Sequence, residues 1–127
     1  MCKFEACLVM TTEKSVPLNF TVELLRKPLE EKRVNVTVRS RGFVRKHGLK
    51  SGVKVEVKYK RKRVGFAVVT RVKTVAYSEL FDPRVFKKAG FVSSTDFVEV
   101  VKGFFFWQWR GIKEGKQRMY LVEFEWI

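Results

Sequence analysis

The 127-residue sequence contains few of the residues that build metal sites or disulfide scaffolds. It has two cysteines, Cys2 and Cys7, and a single histidine, His47. Because these three residues cannot supply a four-ligand zinc site and form no C-x-x-C pair, we expect no metal and no cofactor. On a strand, residues five positions apart point to opposite faces, so we interpret the two cysteines as free thiols.

Proline, glycine and long apolar runs are also scarce. Only three prolines and eight glycines occur, no segment has low complexity, and no run reaches the ~18 apolar residues of a membrane span. The N-terminus lacks the apolar stretch of a signal peptide. Since 46% of the residues are hydrophobic, the composition favours a single folded domain, 1–127, located in the cytoplasm and not bound to a membrane.

Acidic residues are few compared with basic ones. Lysine and arginine total 27 against 13 acids, which gives a net charge of +14. A polyanionic partner would relieve the resulting self-repulsion, and nucleic acid is the commonest such partner. The alternatives are an anionic membrane surface and a basic surface kept for solubility. The acids are too scattered for a metal-dependent nuclease, and no glycine-rich dinucleotide or P-loop motif is present.

The positive charge is concentrated in one segment. Residues 39–73 hold 13 Lys or Arg and one acid, Glu56, whereas the remainder is close to neutral. Solubility does not require such concentration, so we predict that this segment binds nucleic-acid phosphates. The predicted binding residues are Arg39, Arg41, Arg45, Lys46, Lys54, Lys58, Lys60, Arg61, Lys62, Arg63, Arg71 and Lys73.

Hydrophobic alternation predicts the strands. Period-two patterns occur at 3–10, 34–38 and 120–126, and a short extended segment at 17–20. The clearest pattern is a hairpin of 53–58 with 63–75, joined by a polar connection. Because strands flank the helices instead of alternating with them, we predict an α+β fold.

Three segments have helical spacing. Residues 21–32 do, although Pro28 would distort or end a helix there. Asp82 and Pro83 begin a helix at 83–88, which Gly90 ends. A capping box at 93–96 begins a third helix. We predict loops at 42–52, with a turn at 48–52, and at 107–117.

The aromatic run at 104–109 allows two interpretations. Phe104 and one neighbour are expected in the core. Trp107 and Trp109, on a predicted polar loop, would either pack against the core or a protein partner, or stack on unpaired bases.

Several landmarks occur in the order typical of the ASCH family, a branch of the PUA-like barrel folds. They are LNF at 18–20, TVR at 37–39, GVKVEV at 52–57, VGFAVVTRV at 64–72, YSEL at 77–80, KAGF at 88–91 and EF at 123–124. The sequence resembles that family from about residue 17 onward. The resemblance implies a mixed β-barrel with flanking short helices, with residues 1–16 as an extra N-terminal strand, and RNA as the nucleic acid.

The resemblance also implies a possible enzyme. One bacterial group in the family is similar to amidohydrolases that use a lysine, a threonine three residues later, and a glutamate. Thr37 and Glu79 match the threonine and the glutamate, but Val34 occupies the lysine position, and Arg33 cannot lose its proton at neutral pH. Lys32 would substitute only if a bulge shifted the register. We therefore expect RNA binding without catalysis, with a nucleoside- or RNA-directed hydrolase as the alternative.

Overall fold

The computed structural model describes residues 15–127, so the predicted strand at 3–10 and both cysteines lie outside the described residues. Within this range one five-stranded sheet curls into a half-barrel, and short helices flank it. Its strands are β1 (Val16–Phe20), β2 (Val36–Arg39), β3 (Lys54–Tyr59), β4 (Lys62–Val75) and β5 (Met119–Trp126). The predicted α+β class is confirmed.

The sheet order is β1-β3-β4-β5-β2. β1 runs parallel to β3, and every other neighbouring pair is antiparallel. The α-helices are α1 (Arg26–Glu30), α2 (Arg41–His47), α3 (Pro83–Phe86), α4 (Ser94–Phe104) and α5 (Trp109–Lys113). Single 3₁₀ turns at Glu23–Leu25, Tyr77–Phe81 and Phe106–Gln108 precede α1, α3 and α5.

The β3–β4 hairpin is confirmed, and its turn is anchored to β1. Lys60 and Arg61 form a two-residue turn with φ of 48° and 71°, the left-handed conformation that tight hairpins require. The Lys60 N–H donates to the Phe20 carbonyl at 2.7 Å. The Arg61 N–H donates to the Asn19 side-chain oxygen at 2.8 Å. These bonds hold the hairpin tip against the end of β1.

The capping signals at 82–96 also predicted the structure correctly. The Asp82 carboxylate accepts the Arg84 N–H at 2.9 Å at the start of α3. The Ser93 hydroxyl accepts the Asp96 N–H at 3.2 Å at the start of α4. Gly90 follows α3 with φ of +95°, and a Cβ there would lie 2.8 Å from Leu25 Cδ2. This position therefore requires glycine.

The predicted loop at 42–52 is wrong in its first half. Residues 41–47 form α2, whose first turn is capped by the Ser40 hydroxyl accepting the Phe43 N–H at 3.1 Å. Gly48 ends the helix in the left-handed conformation. Serine before a helix and glycine after it are ordinary boundary signals, but the basic composition between them favoured a loop. The turn at 48–52 is confirmed.

The predicted loop at 107–117 is also wrong in part. The 3₁₀ turn and α5 occupy 106–113, and α5 buries Trp109 and Ile112. Phe104 is 65% exposed, whereas its neighbour Phe105 is buried. The chain turns at the end of α4, which places Phe105 inward instead of Phe104.

Pro28 lies within α1 instead of ending the helix. It is the third residue of α1. The first N–H groups of a helix have no intrahelical acceptor, so the missing donor costs nothing at this position.

The strand register defines two faces of the sheet, since directly paired residues share a face. The inner face carries the strand residues that form the core, among them Val57, Val69 and Phe124. Thr37 pairs with Val122, so Thr37 and Arg39 lie on this inner face. Val122 also pairs with Val72, and Glu123 pairs with Arg71. The outer face therefore carries Arg71, Lys73, Lys54, Glu56 and Lys58.

Candidate nucleic-acid interface

A cavity of about 540 Å³ opens between the ends of β1 and β2 and helix α4. Apolar side chains form most of its wall, with a few polar groups among them. The aromatic members are Phe20, Phe43, Phe97, Phe104 and Phe105, and the polar ones are Asn19, Thr21, Thr37, Arg39, Ser40 and Gln108. Arg39 is the single charged residue among the lining residues of the described chain. This combination is typical of a site that orients a small aromatic or polar group.

Arg39 is held in place by two hydrogen bonds and two rings. Its Nε donates to the Thr37 hydroxyl at 3.2 Å, and its Nη2 donates to the Asn19 carbonyl at 3.1 Å. Its guanidinium carbon lies 4.9 Å from the centre of the Phe20 ring and 5.2 Å from that of Phe43. The guanidinium is therefore fixed before any ligand enters the cavity.

No carboxylate of residues 15–127 forms an ion pair with Arg39. Burial lowers the pKa of Arg39 to about 10, so the group stays charged at neutral pH. A cation that is removed from water without a counter-charge is costly, and a ligand carrying negative charge or strong acceptors would compensate it.

Predicted binding cations flank this cavity on two sides. On one side α2, which contributes Phe43 to the wall, carries the exposed Arg41, Arg45 and Lys46. On the other side the hairpin tip, with Lys60 and Arg61, is bonded to Asn19 and Phe20. The structure thus brings the tip and α2 to the cavity that contains Arg39.

The cationic side chains on the stem of the hairpin point to the outer face of the sheet, whereas Thr37 and Arg39 lie on the inner face. Several of its cations contact carboxylates. Arg63 and Lys58 pair with Glu56 at 2.7 and 3.8 Å, and Arg71 pairs with Glu123 at 2.6 Å. At the tip, Lys60 pairs with Glu23 at 3.4 Å. Lys54 lies 4.6 Å above the Phe66 ring. Besides Arg39, seven predicted binding residues form no ion pair with a carboxylate in the described range: Arg41, Arg45, Lys46, Lys54, Arg61, Lys62 and Lys73.

The two residues of the hydrolase alternative are not brought together. Thr37 lines the cavity, whereas Glu79 lines two smaller depressions elsewhere and accepts the Ala76 N–H at 2.7 Å. Lys32 does not line the cavity either, because its amine lies over the Trp126 ring at 5.8 Å. The described residues therefore form no lysine–threonine–glutamate site around Thr37.

The two tryptophans for which base stacking was one of two interpretations have different environments. Trp107 is 89% exposed in the 3₁₀ turn. Trp109 is only 8% exposed, and its ring packs edge-on against Tyr77 with ring centroids 5.6 Å apart. Trp109 is therefore a core residue and not a loop residue, and base stacking stays a prediction for Trp107.

Residues 15–127 contain neither a metal-binding cluster nor a membrane-spanning helix. That range holds no group of three or more histidine, cysteine, aspartate or glutamate side chains placed to bind a metal ion. None of its helices is long and apolar enough to span a bilayer.

Sequence reasoning singled out Thr37 and Arg39 but missed most of the other residues that line the cavity, among them Phe43, Asn19 and Gln108. The loop predicted over 42–52 includes Phe43, and Asn19 and Gln108 come from segments that meet only in the folded protein. Ser40 before α2 and Gly48 after it are the signals that place Phe43 on a helix.

No protein-family model matches the sequence, and no curated protein matches it significantly. Two solved structures resemble the chain. The ASCH domain from Lactobacillus crispatus JV V101 aligns with a TM-score of 0.64 and 13% identity, covering 94% of this chain and 86% of that one. The hypothetical protein PH0355 aligns with a TM-score of 0.61 and 14% identity, covering 89% of this chain and 99% of that one.

Because the sequence identities are this low, the alignments show a shared fold and nothing more. The described residues form an α+β half-barrel, and the cavity that contains Arg39 lies beside its sheet. The fold is that of an ASCH domain, as the resemblance of the sequence implied.

Proposed function

We propose that this protein is a small RNA-binding module in which the Arg39 cavity receives part of a nucleotide. The observation that supports the proposal is the partly buried, hydrogen-bonded Arg39 guanidinium without a carboxylate partner in the described chain. The proposal assigns the cations of α2 and of the hairpin tip to the phosphate backbone.

The hydrogen-bonding capacity of Arg39 favours a ligand rich in acceptors. A guanidinium has five N–H donors, and the contacts within residues 15–127 use two of them. The remaining donors match the paired acceptors of a phosphate or of a base edge. The phenyl rings around the guanidinium favour the planar base over a bare phosphate, because they offer it an apolar surface.

The charge distribution favours a polyanion over a single small metabolite. The net charge is +14, far above what one cavity needs, and α2 and the hairpin tip, which carry predicted binding cations, adjoin residues of the cavity wall. Phosphate contacts position a nucleic acid, whereas a cavity can recognise one residue of it. A cytoplasmic location fits this proposal.

The direct test is a fluorescence titration of single-stranded RNA, single-stranded DNA and duplex DNA at two salt concentrations. We expect micromolar or tighter binding to RNA. If about five phosphates are held, log affinity should fall against log salt with a slope near −3.5. Absence of binding to any of the three at low salt would contradict the proposal.

A further inference from the structure

Three aromatic side chains next to the cavity are exposed to solvent. Phe104, Phe106 and Trp107, here called the aromatic rim, are 65%, 62% and 89% exposed. Phe106 and Trp107 contact each other edge to face, with ring centroids 5.2 Å apart. The buried Phe105 and Trp109 stand on either side of Phe106 and Trp107 in the chain and anchor the turn. These two core residues therefore hold the rim in place on the protein surface.

The rim is continuous with the cavity. Phe104 and Gln108, at the two ends of the segment, both line the cavity that contains Arg39. Trp107 is adjacent to Gln108 in the same 3₁₀ turn. A chain that places one group against Arg39 therefore meets aromatic faces as it leaves the cavity on the α4 side.

The charge of the molecule indicates what covers the rim. An exposed aromatic surface favours planar apolar groups, while the net charge of +14 favours a polyanion. An unpaired nucleotide combines both properties, since its base stacks on aromatic rings and its phosphate attracts cations. A duplex keeps its base faces covered by neighbouring bases.

We propose that the cavity and the aromatic rim together select unpaired RNA, with one base entering the cavity toward Arg39 and an adjacent base stacking on Trp107. This inference rests on the proposed function and adds a preference for single strands over duplexes. Stacking is sequence-tolerant, so the preference concerns strandedness and not base identity.

Trp107 provides a direct signal for the test. Trp109 is 8% exposed and Trp126 is partly buried, so a stacked base quenches mainly the fluorescence of Trp107. The full chain would be titrated with a single-stranded RNA of about ten nucleotides, with the same sequence as a duplex, and with inorganic polyphosphate of similar charge. We expect single-stranded RNA to quench the emission and to bind at least about fivefold tighter than the duplex, and polyphosphate to bind without comparable quenching.

The decisive variant is Trp107→Ala, because an exposed side chain is not needed for folding. One lost stacking contact should weaken single-stranded RNA binding about 5- to 100-fold and leave polyphosphate binding within about twofold. Trp107→Phe should give an intermediate loss. The matched control is Val92→Ala, which removes a side chain that is 86% exposed and does not line the cavity.

Three outcomes would overturn the inference while leaving the proposed function intact. They are RNA binding that Trp107→Ala does not change, an equal loss for RNA and polyphosphate, and equal affinity for single strand and duplex. If Trp107→Ala shifts the protein from dimer to monomer in sedimentation and leaves the RNA affinity unchanged, the rim is a protein contact and the inference is overturned as well. If no RNA binds at low salt, the proposed function itself fails.

Discussion

The inner-face cavity and the outer-face hairpin stem both carry positive charge, but the surroundings of that charge differ. In the cavity, Arg39 contacts a hydroxyl, a carbonyl and two rings. On the stem, Arg63 and Arg71 contact the carboxylates of Glu56 and Glu123. The comparison shows that the number of cations in a segment overstates how many are available to a ligand.

The pKa of Glu56 reflects the pairing on the stem. A hydrogen bond from Arg63, and to a lesser extent the charge of Lys58, lower the pKa of Glu56 below its usual value. The carboxylate is therefore ionised at neutral pH and offsets part of the stem charge. The following predictions test this difference between the cavity and the stem.

The largest effect is the expected difference in RNA affinity between substitutions of Arg39 and of Arg71. Arg39→Gln should weaken single-stranded RNA binding about 10- to 100-fold, since it removes charge-assisted hydrogen bonds from a desolvated site. Arg71→Gln should change the affinity less than about threefold, because Arg71 is exposed and already paired with Glu123. Equal losses, measured as Kd by titration, would remove the distinction between the two regions.

Arg39→Lys sharpens the same test. It keeps the positive charge but not the planar fork, so a loss close to that of Arg39→Gln would show that geometry matters and not charge alone. Arg118→Gln is the control, because Arg118 is an exposed arginine outside residues 39–73.

The next largest effect is a difference in the salt dependence of RNA binding between variants of the hairpin tip and variants of its stem. Neutralising Arg61 and Lys62 to glutamine removes two phosphate contacts, so the salt slope should fall in magnitude by about 1.4 and the affinity at 0.1 M salt by about 10- to 30-fold. The matched control is Lys54→Gln with Lys73→Gln on the outer face. If that stem pair changes the slope as much as the tip pair, RNA follows the outer face instead.

A smaller effect is expected from the positioning of Arg39. Thr37→Val removes the hydroxyl that accepts the Arg39 Nε–H at 3.2 Å but keeps the shape of the side chain. Losing one hydrogen bond should weaken RNA binding about 2- to 10-fold. Thermal unfolding would confirm that the variant is folded, and an unchanged Kd would show that Thr37 does not position Arg39.

Releasing the stem cations should have a small effect in the opposite direction. Glu56→Gln frees Arg63 and Lys58, so we expect polyanion binding to become about twofold tighter. Glu99→Gln, at an exposed position on α4, changes the net charge equally. If Kd falls equally for both variants, only the net charge matters.

The smallest effect concerns acid stability at the tip. Hydrogen bonds from Tyr59 and Lys60 lower the pKa of Glu23 below its ordinary value of 4.5. Glu23 therefore contributes stability that is present above pH 4.5 and is lost as the pH falls through the lower pKa of the folded protein. The thermal midpoint of the native protein should fall more steeply over this range than that of Glu23→Gln. Superimposed profiles would contradict the role of Glu23.

The parts of the fold that the sequence predicted correctly are those with local causes. The hairpin at 53–75 follows from period-two alternation over 53–58 and the valine-rich run over 63–75, and α3 and α4 follow from the caps at Asp82 and Ser93. Short helices were harder to predict. α2 and α5 have seven and five residues, too few to show a full hydrophobic period, and packing against the rest of the protein stabilises them.

The candidate site was predicted only in part. Thr37 was singled out by the family resemblance and Arg39 by the concentration of charge, and both line the cavity. Their partners were not predicted, because Asn19, Phe43 and Gln108 come from distant parts of the chain. The hydrolase alternative needed Thr37 and Glu79 in one cleft, but the register places Thr37 on the inner face and Glu79 bonds to its own turn.

The sequence by itself determined the strand alternation, the helix caps and the excess of positive charge over residues 39–73, because each depends on neighbours within a few positions. Only the tertiary structure decided which cations are paired with carboxylates and which stand beside the cavity. Strand register and helix packing make that choice, since they bring together side chains that are far apart in sequence and assign each one to a face of the sheet.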